Sequence, residues 1–343
     1  MKNITIRDVA KLAGVSHVTV SNVINGRGRM SAETKEKVLK AVKKLKFYPD
    51  VMARTLAGGR SNNIALISSY LSSPFVINIL SGVERRQAEL NKFAYRLEHH
   101  STRGALSVKE DLLKSILYGK KADAVITVTV KPSAELVKEF SKRGMPLVII
   151  ENKAAGASSV TVDNYKGAFM ATEHLIKSGR KKLAIVNGPV GSSVYDEEEN
   201  PVVSERLKGF KDALEEYNLK YDDKMSYHVA FYNREEGEKA MQRINNTGTR
   251  VNGIFCAAGD TTALGIIYQC RQYGIKIPQD VALAGYDDIS IAGIMTPPLT
   301  TIRQPMAEMG KAAFDIVMAA MEGKVKKPAD IVLQPELIKR ESA

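Results

Sequence analysis

The chain has 343 residues, of which 44% are hydrophobic, and a formal net charge of +12. This length and composition predict two or three ordered domains with ordinary cores. No apolar run follows Met1 and no apolar stretch reaches about 18 residues, so nothing supports secretion or a membrane span, and we expect a cytoplasmic protein. Cys256 and Cys270 fit no metal-binding spacing and indicate reduced structural thiols.

The first two predicted elements are short helices separated by a glycine. Their inward-facing residues recur at the helical period: Val9, Ala10, Leu12, Ala13, Val20, Val23 and Ile24. Residues 14–15 make the turn, and Ser16 caps the second helix. This is a helix-turn-helix pattern. It leaves His17, Val18, Ser21 and Asn22 facing outward, where a helix in the major groove presents side chains to base edges.

Positive charge is concentrated in the same part of the chain. Residues 1–60 contain 13 of the 50 lysines and arginines but only 4 of the 38 acidic residues, which gives this segment +9 of the total +12. A solvated lysine-rich helical face is the alternative interpretation. Together with the helix-turn-helix pattern, the charge favours a surface that binds DNA phosphates.

A third helix is predicted to begin at Ser31, with its apolar residues at Val38, Leu39, Val42 and Leu45. It closes a helix-turn-helix headpiece of residues 1–48, because Tyr48 is followed by a proline. Residues 49–61 then predict a hinge, in which a short helix precedes a glycine-rich linker. A helix of about eight residues is marginal in water, so we expect this one to fold only when something holds it.

From Asn63 onward, short apolar runs alternate with amphipathic helices. The predicted strands are 64–67, 124–128, 147–150, 183–186, 253–256 and 281–284, and the predicted helices include 77–90, 168–177, 204–216 and 261–273. This alternation predicts an α/β fold of doubly wound parallel sheets. About 280 residues exceed one comfortable core, so we expect two lobes with a ligand cleft between them, outside the carboxyl ends of the strands.

Motifs along the whole chain carry a family resemblance. They are residues 6–16 (IRDVAKLAGVS), 19–21 (TVS), 48–49 (YP), 53–56 (ARTL), 73–75 (SPF), 163–164 (DN), 173–176 (EHLI), 205–210 (ERLKGF), 263–265 (ALG), 285–288 (GYDD), 297–305 (PPLTTIRQP) and 335–342 (PELIKRES). Each is weak alone, but together they are highly specific. The chain resembles the LacI/GalR (lactose and galactose repressor) family of bacterial transcription regulators from end to end.

The resemblance implies a periplasmic-binding-protein-like architecture for residues 62–343, which would bind an effector and dimerise. The expected amino-terminal lobe comprises residues 62–163 and 294–322. The expected carboxy-terminal lobe comprises residues 164–293 and 323–343.

The resemblance also implies a homodimer whose two headpieces bind a roughly palindromic operator, with the hinge helices in the minor groove. Leu56 would then be an apolar wedge between base steps, although ordinary helix packing is the alternative. The residues expected to contact DNA are Thr5, Arg7, Ser16, His17, Val18, Thr19, Ser21, Asn22, Asn25, Tyr48, Ala53, Arg54 and Leu56. His17, Val18 and Asn22 would contact bases. Contacts to phosphate, or contacts that position the headpiece, are expected from Thr5, Arg7, Thr19, Ser21 and Asn25, although Asn25 could instead simply cap the helix end.

For the effector, the resemblance points to Arg206 and Asp287, because a guanidinium and a carboxylate can each hold vicinal hydroxyls of a sugar. Phe75 and Tyr232 would pack against the ring. Gln304, near the crossover between lobes, and Asp260 complete the expected site. The alternatives are a surface cation for Arg206, a loop cap for Asp287 and core-edge packing for the aromatics. We expect a small effector, a neutral sugar in the first instance, and no cofactor or metal.

The expected mechanism is allosteric: the effector changes the relative angle of the two amino-terminal lobes across the dimer, and the hinge helices pack in only one of these arrangements. Inducer and corepressor control share these motifs, so both remain open. A related alternative is a global regulator whose main coregulator is a phosphorylated carrier protein. An enzyme is disfavoured because the sequence lacks a Walker loop, a Gly-x-Gly-x-x-Gly segment, a His-Glu-x-x-His motif and a nucleophile elbow.

Overall fold

The computed structural model describes residues 4–24, 30–45, 47, 60–190, 201–325 and 327–343. The chain divides into two compact units, Met1–Ser61 and Asn62–Ala343. Within the described residues, every helix is too short or too polar to cross a membrane.

The first unit contains three helices, α1 (Ile6–Ala13), α2 (His17–Ile24) and α3 (Ala32–Leu45). Thr5 and Asp8 form a capping box at the start of α1, in which the Thr5 backbone N–H donates to Asp8 Oδ2 at 2.8 Å. Gly14 ends α1 with a φ of 68°. The Ser16 hydroxyl accepts the Thr19 N–H at 3.1 Å, so the glycine turn and the serine cap both form as the sequence indicates.

The core of this unit is a narrow seam between the three helices. Val9, Val20 and Val38 are fully buried there. The sequence analysis placed Leu12 and Leu39 in the same core, but they are 44% and 48% exposed. Each lies to one side of a buried valine on its helix, and Leu39 is rotated about 100° from Val38. Each helix buries one stripe against the other two helices, so the flanking leucines face solvent.

The second unit contains two six-stranded sheets. The strands are β1 (Asn63–Ser68), β2 (Arg96–Ser101), β3 (Ala124–Val128), β4 (Leu147–Ile150), β5 (Ser158–Val162), β6 (Leu183–Asn187), β7 (Ser226–His228), β8 (Gly253–Cys256), β9 (Ala282–Asp287), β10 (Thr300–Arg303), β11 (Asp330–Leu333) and β12 (Glu336–Ile338). Their orders are β11-β5-β4-β3-β1-β2 in the amino-terminal lobe and β12-β10-β9-β8-β6-β7 in the carboxy-terminal lobe. All neighbours are parallel except β12, which is antiparallel to β10. The doubly wound α/β prediction is confirmed.

The chain leaves the carboxy-terminal lobe after β10 and returns to it after β11, and both of these boundaries lie later in the sequence than expected. β10 pairs with β9 and so belongs to the carboxy-terminal lobe, although the sequence analysis assigned residues 294–322 to the other lobe. β11 pairs with β5 in the amino-terminal lobe, although residues 323–343 were expected opposite. Both strands are four residues long, so neither has a strong sequence signal. β10 pairs with β9, the strand that precedes it in the chain, whereas β11 pairs with β5, 171 residues earlier (Asp330 with Ser159), and no local pattern reveals that partner.

Helices cover both faces of the sheets. They are α4 (Pro74–Glu89), α5 (Leu106–Tyr118), α6 (Ala134–Lys142), α7 (Asn164–Lys177), α8 (Pro201–Glu216), α9 (Arg234–Asn246), α10 (Asp260–Gln272) and α11 (Met306–Met321). The four predicted helices are confirmed, with starts one to four residues earlier. The pair α9 and α10 meets at glycines: a Cβ on Gly237 would overlap the Thr262 carbonyl oxygen, and a Cβ on Gly265 would overlap that of Arg234.

We predict that Gly265→Ala destabilises the protein by about 2 kcal/mol, because the added methyl group forces two close-packed helices apart. Helix propensity alone gives the opposite sign, a gain of about 1 kcal/mol. The free energy of unfolding, measured by chemical denaturation of Gly265→Ala and of the parent protein, distinguishes these outcomes. Gly248→Ala measures the cost of backbone strain without any overlap, since Gly248 has a φ of 68°, which strains an alanine, and no heavy atom lies within 4 Å of an added Cβ. A Gly265→Ala variant more stable than the parent would contradict the steric account.

Candidate functional site

The outward surface of α2 carries the residues expected to contact bases. His17 is exposed, Val18 is 55% exposed, and Asn22 is half-buried one turn further along. The Ser16 cap and the buried Val20 fix the rotation of the helix, so these side chains face away from the headpiece core. Such a surface can offer an amide, an imidazole and an apolar contact to base edges.

The residues expected to contact phosphate lie at the start of α1 and along α2. Arg7 is exposed, whereas the Thr5 hydroxyl donates to Asp8 at 2.7 Å and the Thr19 hydroxyl lies 2.9 Å from that of Ser16. Ser21 is half-buried. The other expected DNA contacts lie outside the described residues: Asn25, Tyr48, Ala53, Arg54 and Leu56.

In the second unit, the structure brings three of the expected effector residues together. Arg206 lies on α8, Asp287 ends β9, and Gln304 follows β10. The Gln304 amide donates to Asp287 Oδ1 at 2.6 Å. The Gln304 carbonyl oxygen is buried without a hydrogen-bond partner, which leaves an acceptor available for a ligand.

Arg206 is not a surface cation, because it is only 5% exposed and its guanidinium is held on several sides. Its Nε donates to Asn164 Oδ1 at 2.8 Å, and its Nη1 donates to the Ala257 carbonyl at 2.7 Å. The guanidinium carbon lies 3.6 Å from the centre of the Tyr286 ring, whose hydroxyl donates to the same Asn164 oxygen at 3.2 Å. The arrangement fixes both the position and the orientation of the cation.

A buried carboxylate missed by the sequence analysis completes this cluster. Glu151 directly follows β4, is 7% exposed, and has its Oε1 buried without a partner. Burial raises the pKa of Glu151 to about 7; Arg206 opposes this effect, and the Asp287 and Glu205 carboxylates add to it. The sequence signal that could have identified Glu151 is an ionisable residue directly after a predicted buried strand, at the carboxyl end where ligands bind.

The other ionisable groups of the cluster respond to the same burial. Burial raises the pKa of Asp287 to about 6, although Arg206 and the Gln304 hydrogen bond oppose the rise. Burial alone would lower the pKa of Arg206, but Tyr286, Glu151 and Asp287 together raise it. The site therefore holds one permanent cation and two carboxyl groups, each of which can gain or lose a proton near neutral pH.

Asp260 does not present a free carboxylate to the cleft. It is fully buried, and its two oxygens accept hydrogen bonds from the Thr301 hydroxyl at 2.6 Å and the Ile289 N–H at 3.0 Å. Burial, followed by the nearby Asp287 carboxylate, raises the pKa of Asp260 well above its ordinary value. These contacts link α10 to β10 and to the loop after β9. The position of Asp260 therefore favours a structural role over the expected contact with the effector.

The two expected aromatics occupy different environments. Phe75, in the first turn of α4, is partly buried against the core of the amino-terminal lobe. Tyr232 is 40% exposed beyond β7, and a Cβ on Gly188 would overlap its hydroxyl. Tyr232 therefore lies close to the carboxyl end of β6, where an exposed ring can contact a ligand, whereas Phe75 also serves the core.

A cavity of about 470 Å³ lies between the lobes, and we call it the interlobe cavity. From the amino-terminal lobe its wall takes Lys131, Glu151, Asn152, Lys153 and Val332, and from the carboxy-terminal lobe it takes Pro201, Val202, Glu205 and Lys208. Residues 161–165, where the chain first passes from one lobe to the other, complete the wall. Glu151 and Asn164, which interact with Arg206, therefore face this space directly. Its volume suits a small polar ligand. The described residues offer no group of three or more histidine, cysteine, aspartate or glutamate side chains for a metal.

Comparisons with known proteins give a consistent result. Residues 5–50 match the model for bacterial regulatory proteins of the lacI family, and residues 172–343 match a periplasmic binding protein-like domain. An HTH-type transcriptional repressor, PurR of Vibrio vulnificus, is 31% identical over 98% of both chains. A solved complex of the transcriptional regulator CelR with cellobiose is 28% identical, with a TM-score of 0.72 over 99% of this chain and 100% of that one. The lac repressor dimer bound to operator and the anti-inducer ONPF superposes with a TM-score of 0.82 at 23% identity over 99% of both chains.

Proposed function

The chain belongs to the LacI family of bacterial regulatory proteins, and on that basis we propose that it represses transcription by binding a palindromic operator as a homodimer under the control of a sugar or sugar derivative. Relatives in this family are transcriptional regulators with a DNA-binding headpiece and an effector-binding domain. Binding of a palindromic operator, dimerisation and control by a sugar are what we propose for this chain. We expect the protein to act in the cytoplasm, where the DNA that it binds lies.

One observation carries the DNA-binding part of the proposal. A capped α2 presents His17, Val18 and Asn22 outward, within a segment that holds +9 of the net charge. Base-edge contacts from such a helix give sequence specificity, and the surrounding lysines and arginines give affinity for phosphate. The dimer and the operator are supported by the fold shared with the lac repressor, whose solved form is a dimer on its operator.

The effector part is supported by the cluster around Arg206. A buried guanidinium, two carboxyl groups and the free carbonyl of Gln304 together suit a ligand with several hydroxyls. The cellobiose complex of the CelR relative supports the same ligand class.

Selection of random duplexes by the purified full-length protein tests the proposal, with the enriched pool sequenced in the presence and absence of sugars and sugar phosphates. We expect an enriched palindrome whose recovery changes with one compound, and the direction of the change distinguishes an inducer from a corepressor. A palindrome indifferent to every compound would favour control by a protein coregulator. Failure to enrich any palindrome would contradict operator binding itself.

We predict that Leu56→Ala weakens specific operator binding at least about tenfold, because an apolar wedge between base steps makes the bend that widens the contact surface. Effector affinity of the free protein should stay near the parent value. Leu39→Ala is the control, since Leu39 is an exposed leucine of the same unit. Operator affinity measured by fluorescence anisotropy decides the matter, and equal losses in the two variants would refute the wedge.

A further inference from the structure

The second aspartate of the GYDD motif, Asp288, lies between two arginines that come from other parts of the chain. Its Oδ2 accepts a hydrogen bond from Arg303 Nε at 2.8 Å, and its Oδ1 accepts one from Arg340 Nη2 at 2.6 Å. The Asp288 side chain is only 7% exposed. Arg340 also donates from Nη1 to the Leu299 carbonyl at 2.7 Å, which fixes the orientation of its guanidinium. We call Asp288, Arg303 and Arg340 the aspartate clamp.

The backbone at this motif has an unusual conformation. Asp287 has a φ of 112° and Asp288 has a φ of 57°. Aspartate tolerates the second value, which lies in the left-handed helical region, but the first lies outside that region and is strained for any residue with a side chain. A strained residue of this kind persists where the surrounding structure holds it, and such residues are concentrated at ligand-binding sites.

The strained residue is the one whose carboxyl group lies in the candidate effector site. Gln304 donates to Asp287 Oδ1 at 2.6 Å, and the charge of Arg206 acts on the same carboxyl group. A Cβ on Gly259 would lie 2.6 Å from Asp287 Oδ2, so the carboxyl group packs where a side chain at residue 259 would otherwise be. A different φ at residue 287 would rotate the Cα–Cβ bond and move the carboxyl group away from these contacts.

The segment is held on both sides of Asp287. Tyr286, which precedes it, is fully buried, and the Ile289 N–H donates to Asp260 at 3.0 Å. Between these two fixed points, the aspartate clamp holds the side chain of Asp288. The strain at Asp287 is therefore maintained by a buried ring before it, an ion pair directly after it and a backbone hydrogen bond one residue further on.

We propose that Asp288 is a positioning residue of the effector site: the aspartate clamp maintains the strained backbone that directs the Asp287 carboxyl group toward Arg206 and the bound effector. This inference rests on the proposed function, because it takes Asp287 as an effector contact. Arg303 and Arg340 then support effector affinity through Asp288.

The alternative is that the clamp serves as an anchor for the carboxy-terminal segment. Arg340 follows β12, and its backbone N–H and carbonyl both bond to the Thr300 hydroxyl, at 2.9 and 3.0 Å. The two roles differ in their consequence for Asp287. Loss of an anchor costs stability alone, whereas loss of a positioning residue lets the Asp287 carboxyl group leave its buried position. Burial raises the pKa of that group from 3.8 to about 6, so its release lowers the pKa again.

Unfolding of the full-length protein by urea at a series of pH values separates the two roles without any ligand. Asp287→Asn should stabilise the parent increasingly as the pH rises from about 4 to about 6, because the folded parent retains a proton that the unfolded chain releases. Asp260 and Glu151, whose pKa values the Asp287 charge raises, contribute in the same direction.

The same comparison is then made in an Asp288→Asn background. Asparagine keeps the size of the side chain and tolerates a φ of 57°, but it cannot form the ion pairs with the two arginines. We expect the pH-dependent effect of Asp287→Asn to fall to less than about half of its value in the parent. Arg340→Met should give the same result, and Arg340→Lys, which keeps the charge without the guanidinium fork, should restore part of the effect.

Arg180→Met is the matched control, since Arg180 is a half-buried arginine of the same lobe that donates to the Pro278 carbonyl at 2.7 Å. It should lower stability and leave the pH-dependent effect of Asp287→Asn intact. The sugars and sugar phosphates of the duplex selection serve as probes of effector affinity. Arg340→Met should raise the concentration that half-changes operator binding at least about tenfold, and Arg180→Met should leave it within about twofold.

An effect of Asp287→Asn that is equally pH-dependent with and without Asp288 would overturn the positioning role and leave the clamp as an anchor. An effect that does not vary with pH in the parent would also overturn it, as would equal losses of sugar response in Arg340→Met and Arg180→Met. Arg340→Lys decides the question if Arg340→Met fails to fold. If no probe changes operator binding, the effector part of the proposed function is refuted, whereas the unfolding measurements still decide whether Asp288 positions Asp287.

Discussion

Replacing Arg206 with methionine is expected to weaken effector binding at least about 100-fold, the equivalent of about 3 kcal/mol. The substitution removes a buried cation that contacts Asn164 and Ala257 and leaves the Glu151 and Asp287 carboxyl groups without their counter-charge. Removing one partner of a buried, hydrogen-bonded charge pair costs far more free energy than removing one partner of a surface ion pair, because the remaining charge stays buried without a counter-charge. The measurement is the response of operator binding to the compound identified by duplex selection.

Operator binding in the absence of effector should remain near the parent value in this variant, because the headpiece belongs to a separate compact unit. Lys211→Met is the matched control: it removes a cation from the same helix, where Lys211 packs 4.2 Å from the Tyr221 ring. Arg206→Lys should be intermediate, since lysine keeps the charge but not the guanidinium geometry. A folded Arg206→Met variant with an unchanged effector response would show that Arg206 does not take part in effector binding.

Glu151→Gln is expected to stabilise the protein increasingly as the pH rises from about 4.5 to about 7. In the unfolded chain this carboxyl group ionises near its ordinary pKa of 4.5, whereas in the folded protein burial raises the pKa to about 7. Between these values the folded state binds a proton that the unfolded state releases, so the ionisable residue costs stability as the pH rises. The full difference is about 3 kcal/mol, at about 1.4 kcal/mol for each pH unit between the two values.

Unfolding by urea at a series of pH values measures this effect as the difference in free energy between Glu151→Gln and the parent. The control is Glu139→Gln, because the Lys142 hydrogen bond lowers the pKa of Glu139. Its contribution has the opposite sign: it is present at neutral pH and is lost as the pH falls, and solvent exposure keeps it small. A Glu151→Gln difference that does not vary with pH would show that Glu151 titrates normally.

The sequence predicted the central strands better than the edge strands. The buried runs that became β1, β3, β4, β6, β8 and β9 are continuous and apolar. β2 has the sequence RLEHHS and lies at a sheet edge, where partial exposure removes the apolar signal. β5 is buried but contains Ser158, Ser159 and Thr161, and the two serine hydroxyls hydrogen-bond to the segment that carries β11. Polar strands of this kind depend on partners that local composition does not reveal.

The candidate effector site likewise contains residues that the sequence identified and one residue that it did not. Arg206 and Asp287 were found because the family motifs mark them. The hydrogen bond of Gln304 to Asp287 and the charge interaction between Arg206 and Asp287 agree with a common site. Glu151 has no such motif. Its importance comes from the loss of solvent around it and from an arginine 55 positions away, which are properties of the packed lobes.

The sequence by itself determined the helix-turn-helix, the Ser16 cap, the alternation of strands and helices and the family. These features depend on residues within one or two turns of each other or on motifs of a few residues. The tertiary structure alone decided which lobe receives β10 and β11, buried Asp260 beneath Thr301 and Ile289, and placed Glu151 beside Arg206. The physical reason is range: strand pairing, desolvation and charge pairing join groups that are distant in the chain, so they exist only once the lobes have folded.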